Sequence, residues 1–231
     1  MTAAEAPLAW MRSCSSLFLS AVDPLPDDAF DAPTALPGWS RRHVLAHVTF
    51  NAEALRRLTA WAATGQRTPM YASPEQRSAE IAEGATWSPE TLRRRLRESA
   101  AALGADLDAL DASSWQREVV TAQGRTVPAT EIPWMRTREV AVHAVDLNAG
   151  IGFERLPVEA CEALVADVAR WRSAKQDGPA LELVTPAGRT WSVSGGGQPA
   201  TVEGSPAELA RWLTGRGAGD LIGAPDLGPW I

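Results

Sequence analysis

Lysine is almost missing from this chain of 231 residues: Lys175 is the only one, and arginine carries the rest of the basic charge. The formal net charge is -6. That balance argues against a nucleic-acid partner, because phosphate binding is driven by lysine and arginine. The arginine bias, together with abundant alanine, follows GC-rich codon usage and says little about chemistry. Cysteine is equally sparse. Cys14 and Cys161 lie far apart and form no C-x-x-C pair, so they read as reduced thiols packed in helices. Sulfur chemistry, if there is any, then needs an external thiol. No stretch approaches the roughly 18 apolar residues of a membrane span. Met1 to Glu5 lacks the basic start of a secretory leader. A cytoplasmic protein that does not engage membranes is expected.

Histidine is the scarcity that informs most. There are three, and all fall in two short segments, His43-Val44-Leu45-Ala46-His47 and Glu139-Val140-Ala141-Val142-His143. Residues i and i+4 share a helix face, about 6 Å apart. Two such faces turned toward each other bring two imidazoles and a carboxylate around one point. Two His and one Glu with an open fourth position is the ligand set of a catalytic zinc site. The competing reading is a core histidine on each helix, satisfied by hydrogen bonds. A buried carboxylate without a partner is costly, and a metal would offset that cost. The pattern leaves His43 and His47 both open; His47 is favoured because Val44, Val48 and Leu55 surround it in the apolar stripe. Asp146, one turn beyond His143, could orient that ring or be a surface acid at the helix end.

The first two-thirds of the chain reads as helices. Leu8, Met11, Cys14 and Phe18 give a first helix its apolar face, ending before Asp23-Pro24. After the turn Leu36-Pro37-Gly38-Trp39, Ser40 looks like an N-cap and the helix runs to about Ala63, with Gly65 as its stop. A short helix spans Pro74 to about Glu83. Ser88-Pro89-Glu90 opens a third long helix, whose Leu92, Leu96, Leu103, Leu107 and Leu110 recur at helical spacing. Residues 119–127 form a hairpin around Gln123-Gly124. A fourth long helix runs from Ile132 to about Asn148. Four long helices in sequence suggest a bundle able to hold a metal in its core. The pattern changes near Gly152. A helix from Pro157 to Ser173 precedes strands at 181–184, 190–193 and 201–203. Ser205-Pro206-Ala207-Glu208 then reads as a capping box opening a last helix, which ends at Gly215-Arg216-Gly217. Gly195-Gly196-Gly197 reads as a loose connection rather than a phosphate cradle, since no helix follows it directly. The fold class expected is α+β, with a helical bundle in residues 1–150 and a smaller α/β domain in residues 151–231.

Three arginines stand out as carboxylate binders, because a guanidinium forks onto a carboxylate. Arg125 sits in the hairpin, Arg136 shares a face with Glu139 and His143, and Arg216 lies between two glycines past a helix end. Each could instead be a surface charge; Arg136 could pair with Glu139, and Arg216 could cap its helix. Tyr71, the single tyrosine, fits a site role or packing. The ten tryptophans read as packing.

These residues resemble the mycothiol-dependent maleylpyruvate isomerases, two-domain members of the DinB-like metalloprotein superfamily. The resemblance is carried by Gly38-Trp39-Ser40, His47-Val48 and Asn51-Ala52, then by Thr64-Gly65 and Thr68-Pro69-Met70-Tyr71. It continues through residues 121–128, Trp134-Met135-Arg136, Arg138-Glu139, His143-Ala144-Val145-Asp146 and Gly215-Arg216-Gly217. It implies a DinB-like four-helix bundle with a smaller sterol-carrier-like domain. It further implies zinc on His47, Glu139 and His143, mycothiol as cofactor with Arg216 and Asn51 near it, and Arg216, Arg125 and Tyr71 in the catalytic machinery. The implied reaction is cis-trans isomerisation of maleylpyruvate to fumarylpyruvate in the gentisate route of aromatic breakdown. Separately from the resemblance, a monomer is expected. Rival readings are a mycothiol S-transferase, a zinc hydrolase of the same superfamily, and a non-enzymatic module binding lipid or another ligand in the C-terminal domain.

Overall fold

The structure is a computed structural model and describes residues 4–228 together with Trp230. Residues 1–3, on which part of the leader argument rests, lie outside the described residues. The chain divides into two compact units, Met1–Ile151 and Gly152–Ile231.

The first unit is the expected helical bundle. Its long helices are α1 (Glu5–Val22), α2 (Arg41–Thr64), α4 (Pro89–Asp108) and α5 (Ile132–Asp146), with a short α3 (Pro74–Gly84) between α2 and α4. Helix α1 packs on α5, α5 on α2, and α2 on α4. Local signals set the boundaries. Gly65 ends α2 in the left-handed region at φ 75°, and the Ser88 hydroxyl accepts from the Thr91 amide ahead of α4. Leu92, Leu96, Leu103 and Leu107 are all buried, as helical periodicity requires. Leu110 lies just past the end of α4 and is only partly buried. A two-stranded hairpin, β1 (Glu118–Val120) and β2 (Thr126–Pro128), turns through Gly124 at φ 78°. Arg41, the first residue of α2, donates from Nε to the Leu147 carbonyl at 2.8 Å, just past the end of α5. That bond satisfies a helix-end carbonyl and fixes α5 against α2.

The second unit holds α6 (Val158–Lys175), β3 (Pro179–Val184), β4 (Thr190–Val193), β5 (Gly196–Glu203) and α7 (Pro206–Leu213). Its sheet has the order β4-β3-β5, with β4 antiparallel and β5 parallel to the central strand. Leu181, Leu183, Val193 and Val202 alternate into the core, while Glu182 and Ser192 do not. The Ser205–Glu208 capping box is present.

Two expectations need correction. The last strand starts at Gly196, five residues earlier than the pattern suggested, and Gly195 is not in a loose connection. To pass from β4 to the far side of β3, the chain crosses the start of β3 at Gly195. A Cβ there would lie 2.3 Å from the Gly178 carbonyl oxygen and 2.5 Å from the Pro179 carbonyl carbon. Those are backbone atoms and cannot step aside. Gly195→Ala should therefore destabilise this unit by about 2–4 kcal/mol. Gly178→Ala, with nothing within 4 Å of its Cβ, should cost little. Urea unfolding of the two variants checks this; equal stability would contradict the crossing.

Candidate metal centre

The two histidine segments meet. His47 on α2 is buried, 3% exposed, and its Nε2 lies 2.8 Å from Glu139 Oε2 on α5. The same carboxylate oxygen lies 3.5 Å from His143 Nε2. The two imidazole rings stand perpendicular, 4.8 Å between centroids. One ligand atom from each of the three residues lies within 4.8 Å of the others. Behind His143, Nδ1 lies 2.9 Å from Oδ2 of Asp146, which is fully buried. Asp146 is thus an internal partner of the ring, not a surface acid.

Charge in the cluster follows from these contacts. Burial works against ionisation of Glu139, but hydrogen bonds from His143 and His47 win and hold its carboxyl well below the usual range. Burial depresses His47. Burial also opposes the charged form of His143, yet Asp146 and Glu139 carry it up to about 8. A single carboxylate oxygen therefore serves two inward-facing Nε2 atoms. A divalent cation would satisfy all three donors at once, and the Asp146 contact sets the tautomer of His143 for ligation through Nε2. The donor set fits zinc-type coordination.

His43 is used elsewhere. Its Nδ1 accepts from the Ser40 amide at 3.2 Å and lies 2.9 Å from the Ser40 hydroxyl, closing the start of α2. It takes the place that glutamate holds in a common capping box, so the helix start explains this histidine without a ligand. Trp39 lies against both rings, its centroid 6.1 Å from His43 and 5.7 Å from His47.

Residues 11–148 match the family described as Mycothiol maleylpyruvate isomerase N-terminal domain, and residues 155–228 match the MDMPI C-terminal domain. The chain belongs to the mycothiol maleylpyruvate isomerase family. It is an enzyme of that family. The crystal structure of the mycothiol-dependent maleylpyruvate isomerase superposes with a TM-score of 0.92 at 36% identity, over 99% of this chain and 96% of that one. A histidine-to-alanine variant of that isomerase gives 0.91 at the same identity and coverage. YfiT from Bacillus subtilis, a probable metal-dependent hydrolase with an unusual four-helix bundle topology, is 16% identical with a TM-score of 0.52. That match covers 62% of this chain and 83% of YfiT, and shows a shared fold alone. No curated protein matches by sequence. No described helix is long and apolar enough to cross a membrane.

The other expected residues of this family member fall in different surroundings. Tyr71 is half-buried. Arg57 of α2 donates to the Met70 carbonyl at 2.6 Å, which holds this loop on the bundle. Burial pushes the Tyr71 phenol up, against the opposing Arg77 guanidinium, so it stays a hydrogen-bond donor. Asn51 is buried, and its Oδ1 accepts from Arg136 Nη1 at 2.9 Å. Arg136 makes no ion pair with Glu139; its bonds go to neutral oxygens of α2. Arg125 is exposed after the hairpin turn. Arg216 donates from Nη1 to the Thr214 carbonyl at 2.5 Å, the arrangement of a helix-end cap. Sequence reasoning missed Arg77 of α3, whose Nη2 lies 3.4 Å from His47 Nδ1. Nothing in the local pattern of α3 marks that residue.

Proposed function

We propose that this protein is a zinc- and mycothiol-dependent cis-trans isomerase that converts maleylpyruvate to fumarylpyruvate in gentisate-route breakdown of aromatic compounds. The observation that carries the reading is the convergence of His47, Glu139 and His143 in a chain of this family. These three side chains of the N-terminal unit would hold the zinc. Bound there, zinc would lower the pKa of a thiol or polarise a substrate carbonyl. Mycothiol would supply reversible addition of its thiolate to the conjugated alkene, which turns the double bond into a rotatable single bond and gives the thiol back on elimination.

The chain's own thiols do not compete for that role. Cys14 is buried and its thiol is pushed up to about 12, so it stays protonated. Cys161 is buried and directs its thiol to the Phe153 carbonyl. Asp146 holds the His143 ring in place, and the Tyr71 hydroxyl offers a proton to charge that develops on substrate oxygen. Arg125, with no hydrogen bond or ion pair from its guanidinium among the described residues, is available to a substrate carboxylate. We assign the same kind of role to Arg216 in residues 151–231. A monomer in a reducing cytoplasm suits two free buried cysteines and a thiol cofactor.

The reading is tested by incubating the zinc-loaded protein with maleylpyruvate and mycothiol, identifying the product by NMR and counting free thiol at the end. Fumarylpyruvate with full thiol recovery is expected. Thiol consumed in step with substrate would make the protein an S-transferase, and thiol-independent water addition a hydrolase. Arg216 is tested separately. A fork onto a carboxylate is not reproduced by the point charge of lysine, so Arg216→Lys should lower turnover roughly tenfold or more at unchanged melting temperature. Near-wild-type turnover with a lowered melting temperature in Arg216→Ala would reduce Arg216 to the cap of α7.

A further inference from the structure

Arg136 is one of the largest buried side chains in the protein, only 2% exposed. Its Nη1 makes two bonds, to the Val48 carbonyl at 2.7 Å and to Asn51 Oδ1 at 2.9 Å. Both acceptors are neutral. A guanidinium carries five N–H donors, so Nε and Nη2 retain the rest, and they donate to no group among the described residues. Burying a cation without a countercharge is costly. Burial draws Arg136 down only to about 10, so it stays charged at neutral pH. Glu139, one helical turn on, favours the charged guanidinium through space, but it makes no hydrogen bond to it, and its carboxylate is engaged by His47 and His143. A helix–helix staple would need only the two Nη1 bonds; the idle Nε–Nη2 edge has the shape that accepts a carboxylate side-on.

We propose that the Nε–Nη2 edge of Arg136 is the carboxylate subsite beside the metal triad, with Asn51 as the positioning residue that turns the guanidinium toward it. This deepens the isomerase reading and rests on it for the substrate: a small cis-dicarboxylate presents the group this edge recognises. It also gives Asn51 a task other than touching the cofactor. A carboxylate placed at position 51 would answer the charge from within and leave the edge a weaker anion site.

The test is isothermal titration of the zinc-loaded protein with maleate, an unreactive cis-dicarboxylate here because no thiol is added. Wild type, Arg136→Lys and Asn51→Asp are compared, with metal content and circular dichroism measured on each. Wild type should bind maleate saturably. Both variants should bind at least roughly tenfold more weakly, the loss expected for a charge-assisted fork, with metal retained. If Arg136→Lys fails to fold, Asn51→Asp decides alone. Absence of maleate binding in wild type, unchanged affinity in a folded variant, or weakening that follows metal loss would each overturn the subsite. Wild type that binds maleate through Arg136 yet never turns over maleylpyruvate would remove the isomerase reading and leave the subsite standing.

Discussion

His47→Ala should lose its metal and reduce turnover by a factor on the order of 10³ or more, since a bound metal supplies several kcal/mol of charge stabilisation. Three facts combine in this expectation. His47 contributes its Nε2 from α2, the only ligand atom of the three that does not come from α5. Without it the remaining donors all sit on one helix turn, and no second helix closes the site. The Glu139 carboxylate also loses one of the two hydrogen bonds that keep it ionised. The control is the other histidine of the same segment. His43→Ala removes the side chain that accepts from the Ser40 amide, so it should cost about 1 kcal/mol of stability, the worth of a helix cap, and leave metal and turnover close to wild type. Metal analysis and kinetics on both variants check the pair. A His47→Ala protein with a full complement of metal would refute the ligand assignment.

Asp146→Asn should weaken metal binding by about 10- to 100-fold, the range seen when the outer partner of a ligating histidine is changed. The aspartate is fully buried and lies 2.9 Å from His143 Nδ1. Asparagine keeps the volume and can still accept a hydrogen bond, but it removes the charge that makes the opposite nitrogen a better donor to a metal. The fold should be retained, and turnover at saturating zinc should recover most of the way. Zinc titration against a competing chelator gives the affinity directly. An unchanged zinc affinity in Asp146→Asn would mean that Asp146 serves packing and not the metal.

The helices and their ends were legible because their causes are local. Ser40 and Gly65 bracket α2, Ser88-Pro89 opens α4, and the leucines of α4 repeat with the helix period. The clustering of His47, Glu139 and His143 was legible in part: the i,i+4 spacing puts Glu139 and His143 on one face of α5, and His47 stood out by its place in the apolar stripe of α2. His43 stays open beside the favoured His47 in the sequence, although a Ser-x-x-His at a helix start can mimic a capping box, as it does here. Of the readings open for Arg136, the ion pair with Glu139 is not formed, and its actual acceptors were not visible in the sequence. Its acceptors, Val48 and Asn51, lie 88 and 85 residues away in sequence and reach it only through helix packing. Arg77 and Gly195 were illegible for the same reason. One depends on how α3 lies over α2, the other on a strand order in which β5 passes to the far side of β3.

The most direct test of the account is a metal-removal and thiol-omission assay on the intact protein. Maleylpyruvate isomerisation is followed by absorbance with zinc and mycothiol present, after chelation, after zinc is restored at one equivalent, and with mycothiol left out. The account predicts no turnover in the chelated protein, full recovery at one equivalent of zinc, and none at any zinc level without the thiol. Undiminished turnover in the metal-free protein, or turnover without mycothiol, would contradict it.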